Sequence, residues 1–412
     1  MKGLLVFLIV FGLLVFVHEF GHFIVAKKAG IRVREFSIGM GPKLFQVHRA
    51  TTTYTIRWLP LGGYVRLAGS DDAASLDPGA GVVLKLVAGK VTKIDASESD
   101  LPMAGIPLRV VKADLVDQLQ ISGYVNDDES VLKTYPVDHD ATIIDQTHTE
   151  LIIAPRDTQF QAAKVWQKLG TNVAGPLMNI LLGFVVLVLW SVFSAGPQTT
   201  TIKQTQPDMP SHQVLQAGDV VTKVNGHQIS SFADLQTQIA ATRGRQVQLN
   251  YRRGQQQKRV TLRPVKKAGT YLIGIETTSD NRIGVKLIRG LQLGVSVSGM
   301  IFRAVGNLLQ HFNLNKLSGP VGIYSQTAKV SNLGFNYVLL FLGMISINLG
   351  IVNLIPIPGL DGGKLLLNLI ELIRGKPISP EHETIVELAG VVLLLILIIA
   401  VTGNDIYRYF LK

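Results

Sequence analysis

His18-Glu19-Phe20-Gly21-His22 places two imidazoles four residues apart inside an apolar stretch that runs from about residue 3 to residue 26. On a helix, positions i and i+4 lie one turn apart, so both rings point the same way and can bind one zinc ion. Glu19, beside the first of them, is then placed to hold a water at the metal and take its proton. Strongly polar side chains at bilayer depth cost on the order of a few kcal/mol each, so they need partners or a watery cavity. The competing reading is a chance match on a solvated helix face, and an apolar span has no solvated face. The pattern predicts peptide-bond hydrolysis within the membrane.

A catalytic zinc site takes three protein ligands and keeps one position open. The chain has no cysteine, so the third ligand must be His, Asp or Glu. Asp361, in Asn353-Leu-Ile-Pro-Ile-Pro-Gly-Leu-Asp-Gly-Gly363, is the favoured candidate. Pro356 and Pro358 cannot continue a regular helix, and the glycines allow the backbone to open. Irregular backbone at membrane depth is tolerated only where protein or water covers it. The alternative is that Asp361 only caps a helix over 362–373. Spacing alone does not separate it from other loop carboxylates. Asn353 either bonds a substrate backbone or joins helices, and Asn348 reads as the latter. His48, His139 and His311 lack partners at ligand spacing.

The segment 54–69 alternates at Tyr54, Ile56 and Trp58 and again at Val65 and Leu67, around Pro60 and Gly62-Gly63. That predicts a hairpin: either one that dips into the membrane beside the metal, with an edge strand able to pair with an unwound substrate, which is favoured, or a surface hairpin with ordinary packing.

These groups need a scaffold. At 412 residues two or three folding units are expected, and 17% charged residues is below the roughly 25% of soluble proteins. Apolar segments at about 3–26, 177–195, 337–357 and 388–402 read as spans, and a shorter one at 291–309 as an interfacial helix. Net charge is +11, read as anchoring to anionic lipid on the cytoplasmic side; no basic stripe interleaved with aromatics points to nucleic acid. Lys27, Lys28, Arg32, Arg34, Lys43 and Arg49 follow span 1, and Arg374 and Lys376 lie between spans 3 and 4. Those loops are cytoplasmic by the positive-inside rule, which leaves both termini and 197–335 outside a multi-pass cell-membrane protein.

Between spans 1 and 2, residues 70–160 form a β-rich cytoplasmic module with turns at Asp71-Asp72 and Asn126-Asp127-Asp128. Between spans 2 and 3, Gly218-Asp219 and Asn225-Gly226 mark turns around a strand, Ser231 opens a helix, and two strands follow. This second pattern resembles a PDZ domain, which binds an extended peptide as an added strand. The expected domains are 1–69, 70–160, 161–196, 197–280, 281–336 and 337–412.

Taken together, His18-Glu-Phe-Gly-His22, Phe36-Ser-Ile-Gly-Met-Gly41, Leu59-Pro-Leu-Gly-Gly-Tyr-Val65, Ala174-Gly-Pro-Leu-Met-Asn179, the PDZ-like segment and Asn353–Gly363 resemble the site-2 protease family of intramembrane zinc metalloproteases. The likeness spans nearly the whole chain and lies with the bacterial branch that releases sigma factors. It implies zinc held by His18, His22 and Asp361, with Glu19 as general base. It implies that Asn353, Pro356 and Pro358 help hold substrate, and that Ala174–Asn179 opens span 2 near the site. It also implies cleavage of single-span membrane proteins after another protease removes their outer part, with the PDZ-like domain as size filter or tail binder. The chain has one PDZ-like segment where some relatives have two. The 70–160 module resembles the insertion of Gram-positive relatives of the regulator-of-sigma-W protease type.

The expected fold is therefore a multi-span α-helical membrane protein of about four transmembrane helices. An inserted PDZ-like α+β domain and the β-rich module complete it. Two rival functions stand beside intramembrane proteolysis: a membrane-anchored zinc protease acting on soluble or misfolded proteins, and a non-enzymatic PDZ scaffold.

Overall fold

A computed structural model describes residues 2–69, 76–97, 104–126, 128–146, 148, 150–267 and 269–408. The expected turn at Asp71-Asp72, and Asp127 of the second turn, lie outside them. The chain divides into two compact units, Met1–Phe184 with Val297–Lys412, and Val185–Ser296.

In the first unit the apolar run becomes helix α1, Lys2–Lys28, with Lys27 and Lys28 in its last turn. Strands β1 (Val33–Arg49) and β2 (Thr52–Leu67) follow. Each bends, and their register gives four arms in the order 43–49, 52–57, 33–38, 63–67. The two arms of 54–69 thus do not pair with each other as expected; residues 33–38 lie between them, because β1 starts where α1 hands the chain over. Alternation sorts the side chains. Phe36, Ile38, Tyr54, Ile56 and Val65 share one face, and Glu35, Ser37, Thr55, Arg57 and Tyr64 share the other. The apolar face packs on Phe16 and Phe23 of α1, with ring centroids 5.3–6.1 Å apart. On the polar face the buried Glu35 accepts from Thr55 Oγ1 (2.6 Å) and Tyr64 Oη (2.8 Å). Met40, Leu44, Phe45, Trp58 and Leu59 at the far end are exposed. Arg32 and Arg34, counted above as loop cations, are buried, and Arg32 donates to the carbonyls of His139 and Ile153.

Next come β3 (Gly81–Val87), β4 (Lys90–Asp95), β5 (Ile106–Asp114), β6 (Gln120–Val125), β7 (Leu132–Ile144) and β8 (Glu150–Ile152). They pair in the order β4-β3-β5-β6-β7-β8, and a parallel β4–β7 pairing closes β3–β7 into a barrel. Closure leaves β3–β7 without a free edge and buries Leu84, Val91, Ile94, Val110, Ile121 and Ile143.

Helix α2, Val165–Phe193, runs unbroken through Pro176. The helix begins upstream of Ala174–Asn179, the stretch expected to open span 2; one proline removes one hydrogen bond and kinks a helix, and its neighbours suffice to hold the rest. Helix α2 runs from the first unit into the second.

The second unit continues with β9 (Gln198–Thr205), β10 (Val220–Val224), β11 (His227–Gln228), α3 (Phe232–Ala241), β12 (Val247–Arg253), β13 (Gln256–Leu262), β14 (Val265–Lys267), β15 (Thr270–Leu272) and β16 (Ile275–Ser279). The main sheet has the order β13-β12-β10-β9-β16. Asn225 and Gly226 both have positive φ, as a tight hairpin turn requires, and Ser231 caps α3 by accepting from the Asp234 N–H. Ile202, Val221, Leu235, Ile239, Leu249 and Tyr251 form the core. Arg243, Arg245, Arg252, Lys258, Arg259 and Arg263 are exposed here. Part of the basic excess therefore lies on this unit rather than in the loops after span 1.

Helix α4, Ile283–Gln310, leads back into the first unit. Then come α5 (Pro320–Leu333), α6 (Phe335–Asn353), α7 (Asp361–Arg374) and α8 (Pro380–Ile406). Among the described residues five helices are long and apolar enough to cross a membrane: α1, α2, α4 over Ile283–Leu308, α6, and α8 over Glu381–Ile406. The segment expected to be interfacial is thus longer than it reads, and meets the same criterion as the four expected spans.

Candidate active site

Three helices of the first unit build the site. On α1, Nε2 of His18 and Nε2 of His22 lie 3.3 Å apart. Oδ2 of Asp361 lies 3.1 Å from the first and 3.4 Å from the second. A tetrahedral zinc with ligands at ~2.0–2.1 Å has neighbouring donors ~3.3 Å apart. The three donors therefore form a face of such a tetrahedron, and the fourth corner is left for another ligand. Among the described residues no other three His, Asp or Glu side chains gather in this way.

Asp361 reaches the histidines because α6 stops at Asn353 and the chain turns through Pro356 and Pro358 before α7 begins. Asp361 is the first residue of α7, whose N-cap is Leu360 without a side-chain cap, so its carboxylate is not used as a cap. Gly362 and Gly363 let α7 start close under this loop. A β-carbon on either would come within 2.5 Å of the Leu354, Ile355 or Ile357 carbonyl oxygens.

Helix α2 supplies the groups behind the ligands. The Thr171 carbonyl accepts from Nδ1 of His22 at 2.7 Å, which leaves Nε2 unprotonated for a metal. The amide of Asn179, fully buried, meets Nδ1 of His18 at 3.2 Å. With Nε2 of His18 turned to a metal, Nδ1 carries the proton, so the amide oxygen must face it. Oxygen and nitrogen of an amide are exchanged by a half-turn, and that half-turn also gives Oδ1, otherwise buried without a partner, its donor. Close helix contact makes this possible. A β-carbon on Gly175 would sit 2.2 Å from Nε2 of His22, and one on Gly21 would sit 2.5 Å from the Ala174 carbonyl oxygen.

Glu19 is half-buried next to the triad. Gly63, on the outer arm of the β1–β2 sheet, lies against it: a β-carbon there would be 3.2 Å from Cγ of Glu19. Asn353 is the half-buried last residue of α6 and makes no side-chain hydrogen bond to a described residue; Pro356 is exposed and Pro358 half-buried. Asn348, also on α6, stands apart from the ligand contacts. Gathered in space are His18, His22 and Asp361, with Glu19 adjoining; Asn353, Pro356 and Pro358 lie on the loop that delivers Asp361. Thr171 carries no signal in the sequence; Gly175 and Asn179 fall in the Ala174–Asn179 motif, but their support of the histidines is visible only in the folded chain.

Apolar helices around a half-buried His-His-Asp triad with a glutamate adjoining it define a membrane metallopeptidase. The sequence profile of peptidase family M50 matches residues 6–397. The chain belongs to that family, the site-2 proteases, and is a zinc metalloprotease of the membrane.

Similar chains, each provisionally named, cover it from end to end. The protease eep of Enterococcus faecalis is 44% identical over 423 residues, covering 100% of both chains. Zinc metalloproteases of Streptococcus pyogenes serotype M3 and Lactococcus lactis are 44% and 41% identical over 430 and 431 residues, again covering 100% of both chains. Part of the chain is similar to PDZ domains of SdrC-like proteins. The one from Listeria innocua is 24% identical, TM-score 0.19, covering 20% of this chain and 96% of that one. The one from Listeria monocytogenes is 28% identical, TM-score 0.17, covering 20% and 88%.

Proposed function

We propose that this metalloprotease cleaves transmembrane segments of single-span membrane proteins after their extracytoplasmic part has been removed. The observation that carries this reading is the donor triangle of His18, His22 and Asp361, whose two histidines stand on α1, a helix long and apolar enough to cross a bilayer. The chemistry that zinc supplies in such a site is Lewis acidity, which lowers the pKa of a coordinated water to roughly 7 and polarises a carbonyl. Glu19 takes a proton from the attacking water and returns it to the leaving amine. Thr171 and Asn179 fix the ring tautomers of His22 and His18. Asn353, whose amide has no hydrogen-bond partner among the described residues, holds the substrate backbone, and Pro356 and Pro358 keep that loop open.

A helical substrate has its peptide groups locked in i to i+4 bonds, so it must be drawn out before attack. The arm 63–67 at the edge of the β1–β2 sheet is suited to that. It has one strand neighbour, lies against Glu19 at Gly63, and belongs to a sheet whose far end is apolar and exposed. The sheet order and helix α3 of the second unit support a PDZ-like domain that filters substrates by size or binds a peptide tail.

Helix directions support the expected orientation. His22 meets Thr171 and His18 meets Asn179, so α1 and α2 are antiparallel. Gly183 lies against Ile347 and Gly350 against Pro176, so α2 and α6 are antiparallel too. The chain between α2 and α6 thus leaves and returns on one side of the membrane, and a single crossing by α4 would break that. We therefore assign α4 to the interface, with four spans and both termini outside.

The test is cleavage by the purified protein of a single-span peptide with its outer domain, the same peptide without it, and a soluble casein-like protein. Cleavage of the trimmed peptide alone is expected. Efficient cleavage of the soluble protein would place the site outside the membrane.

A further inference from the structure

Lys168 and Glu371 form an ion pair that the chemistry above does not use. The Lys168 ammonium reaches both carboxylate oxygens of Glu371, at 2.9 and 3.1 Å, and the two side chains are 4% and 14% exposed. Desolvating two charges makes such a pair a weak source of stability, so its worth lies in what it fixes. It joins the same two helices that meet at the metal centre. On α2, Lys168 is one turn before Thr171, which accepts from His22. On α7, Glu371 lies ten residues beyond Asp361, about 15 Å along the axis.

Helix α7 has little else to hold it. Its lead-in is irregular and contains two prolines, and Leu366, Leu369 and Ile373 on its outer side are exposed. On its inner side lies a cavity of about 360 Å³, lined among others by Phe160, Leu367, Asn368 and Ile378 as well as the pair itself. Nδ2 of the buried Asn368 has no partner there. The other ion pair of α7, Lys364 with Glu387, is long at 3.9 Å and half-exposed, so it constrains little.

We infer that Lys168 and Glu371 are the positioning pair that holds α7 against α2 and thereby keeps Asp361 at ligand distance from His18 and His22. The inference rests on Asp361 being a ligand. Metal sites tolerate donor displacements of only about 0.2 Å, so slack at the far end of α7 reads out as weaker metal binding.

The test uses the full chain in detergent, with zinc affinity measured by chelator competition and thermal unfolding followed in the zinc-free state. Lys168→Met and Glu371→Gln each leave a buried charge, so the double variant Lys168→Met/Glu371→Gln removes the tie without stranding one. The exchange Lys168→Glu/Glu371→Lys restores it in reverse. Zinc affinity is expected to fall roughly 10-fold or more in the singles and the neutral double, the range of lost outer-shell support, and to recover in the exchange. Zinc-free unfolding of the neutral double is expected to match the wild type. Wild-type affinity in the neutral double, or an exchange variant no better than the singles, overturns the inference. Asp361→Ala is run alongside: unchanged zinc affinity there overturns the ligand assignment itself, and this inference with it.

Discussion

The His22 ring donates through Nδ1 to the Thr171 carbonyl at 2.7 Å, and this contact decides which ring nitrogen is left for a metal. The acceptor is main chain, so no substitution at position 171 removes it directly. The equivalent contact of His18 is to a side chain, and is therefore open to mutation.

Asn179→Leu is expected to keep the fold and weaken zinc binding 10- to 100-fold, as loss of an outer-shell partner does. Chelator competition on the purified protein measures it. Unchanged affinity would mean that Asn179 serves helix packing alone.

Gly175→Ala tests the closeness of α1 and α2. The added methyl would lie 2.2 Å from Nε2 of His22, so either the ring or the helix must move. Zinc content is expected to drop sharply, whereas alanine would otherwise favour the helix by about 1 kcal/mol. A variant that is stabilised and fully metallated would contradict the contact.

Asp361→Ala removes one of three donors and leaves two histidines a turn apart. Zinc occupancy after purification is expected to fall well below that of the wild type, as metal analysis would show. Full occupancy would remove Asp361 from the site.

The second unit gives a prediction in pH. Burial works against the charge of Asp219, but the Arg253 fork at 2.7 and 2.8 Å and the Gln216 N–H outweigh it and hold the carboxyl below its ordinary value of 3.8. A depressed folded-state pKa contributes stability above the unfolded value and loses it as pH falls through the folded one. Asp219→Asn should cost about 1–2 kcal/mol at pH 7, since Arg253 is partly exposed. That gap should narrow as pH drops below 3.8. Urea titration read by proteolysis within 197–280 measures it, and a gap independent of pH would refute the pairing.

Some of this architecture is written locally in the chain and some is not. His18, Glu19 and His22 stand out because helical period and an apolar surrounding act within five residues. Asp361 is legible because prolines and glycines announce a break at membrane depth. Thr171 contributes a carbonyl that every residue has, so it carries no signal, and Gly175, although inside the Ala174–Asn179 motif, contributes only an absence of atoms. Alternation predicts strands at Tyr54–Trp58 and Val65–Leu67 but not their partners. Closure of the barrel through β4 and β7, and the placing of residues 33–38 between the arms of 54–67, are long-range pairings that only the folded chain selects.

The most direct test of the account is Glu19→Gln. A tagged single-span peptide lacking its outer domain is incubated with purified wild type and with the variant, and bound zinc is measured in both. Comparable zinc in the two proteins and cleavage by the wild type are expected, with turnover in the variant lower by about 10²–10⁴-fold. A Glu19→Gln protein that binds zinc and cleaves at the wild-type rate would contradict it.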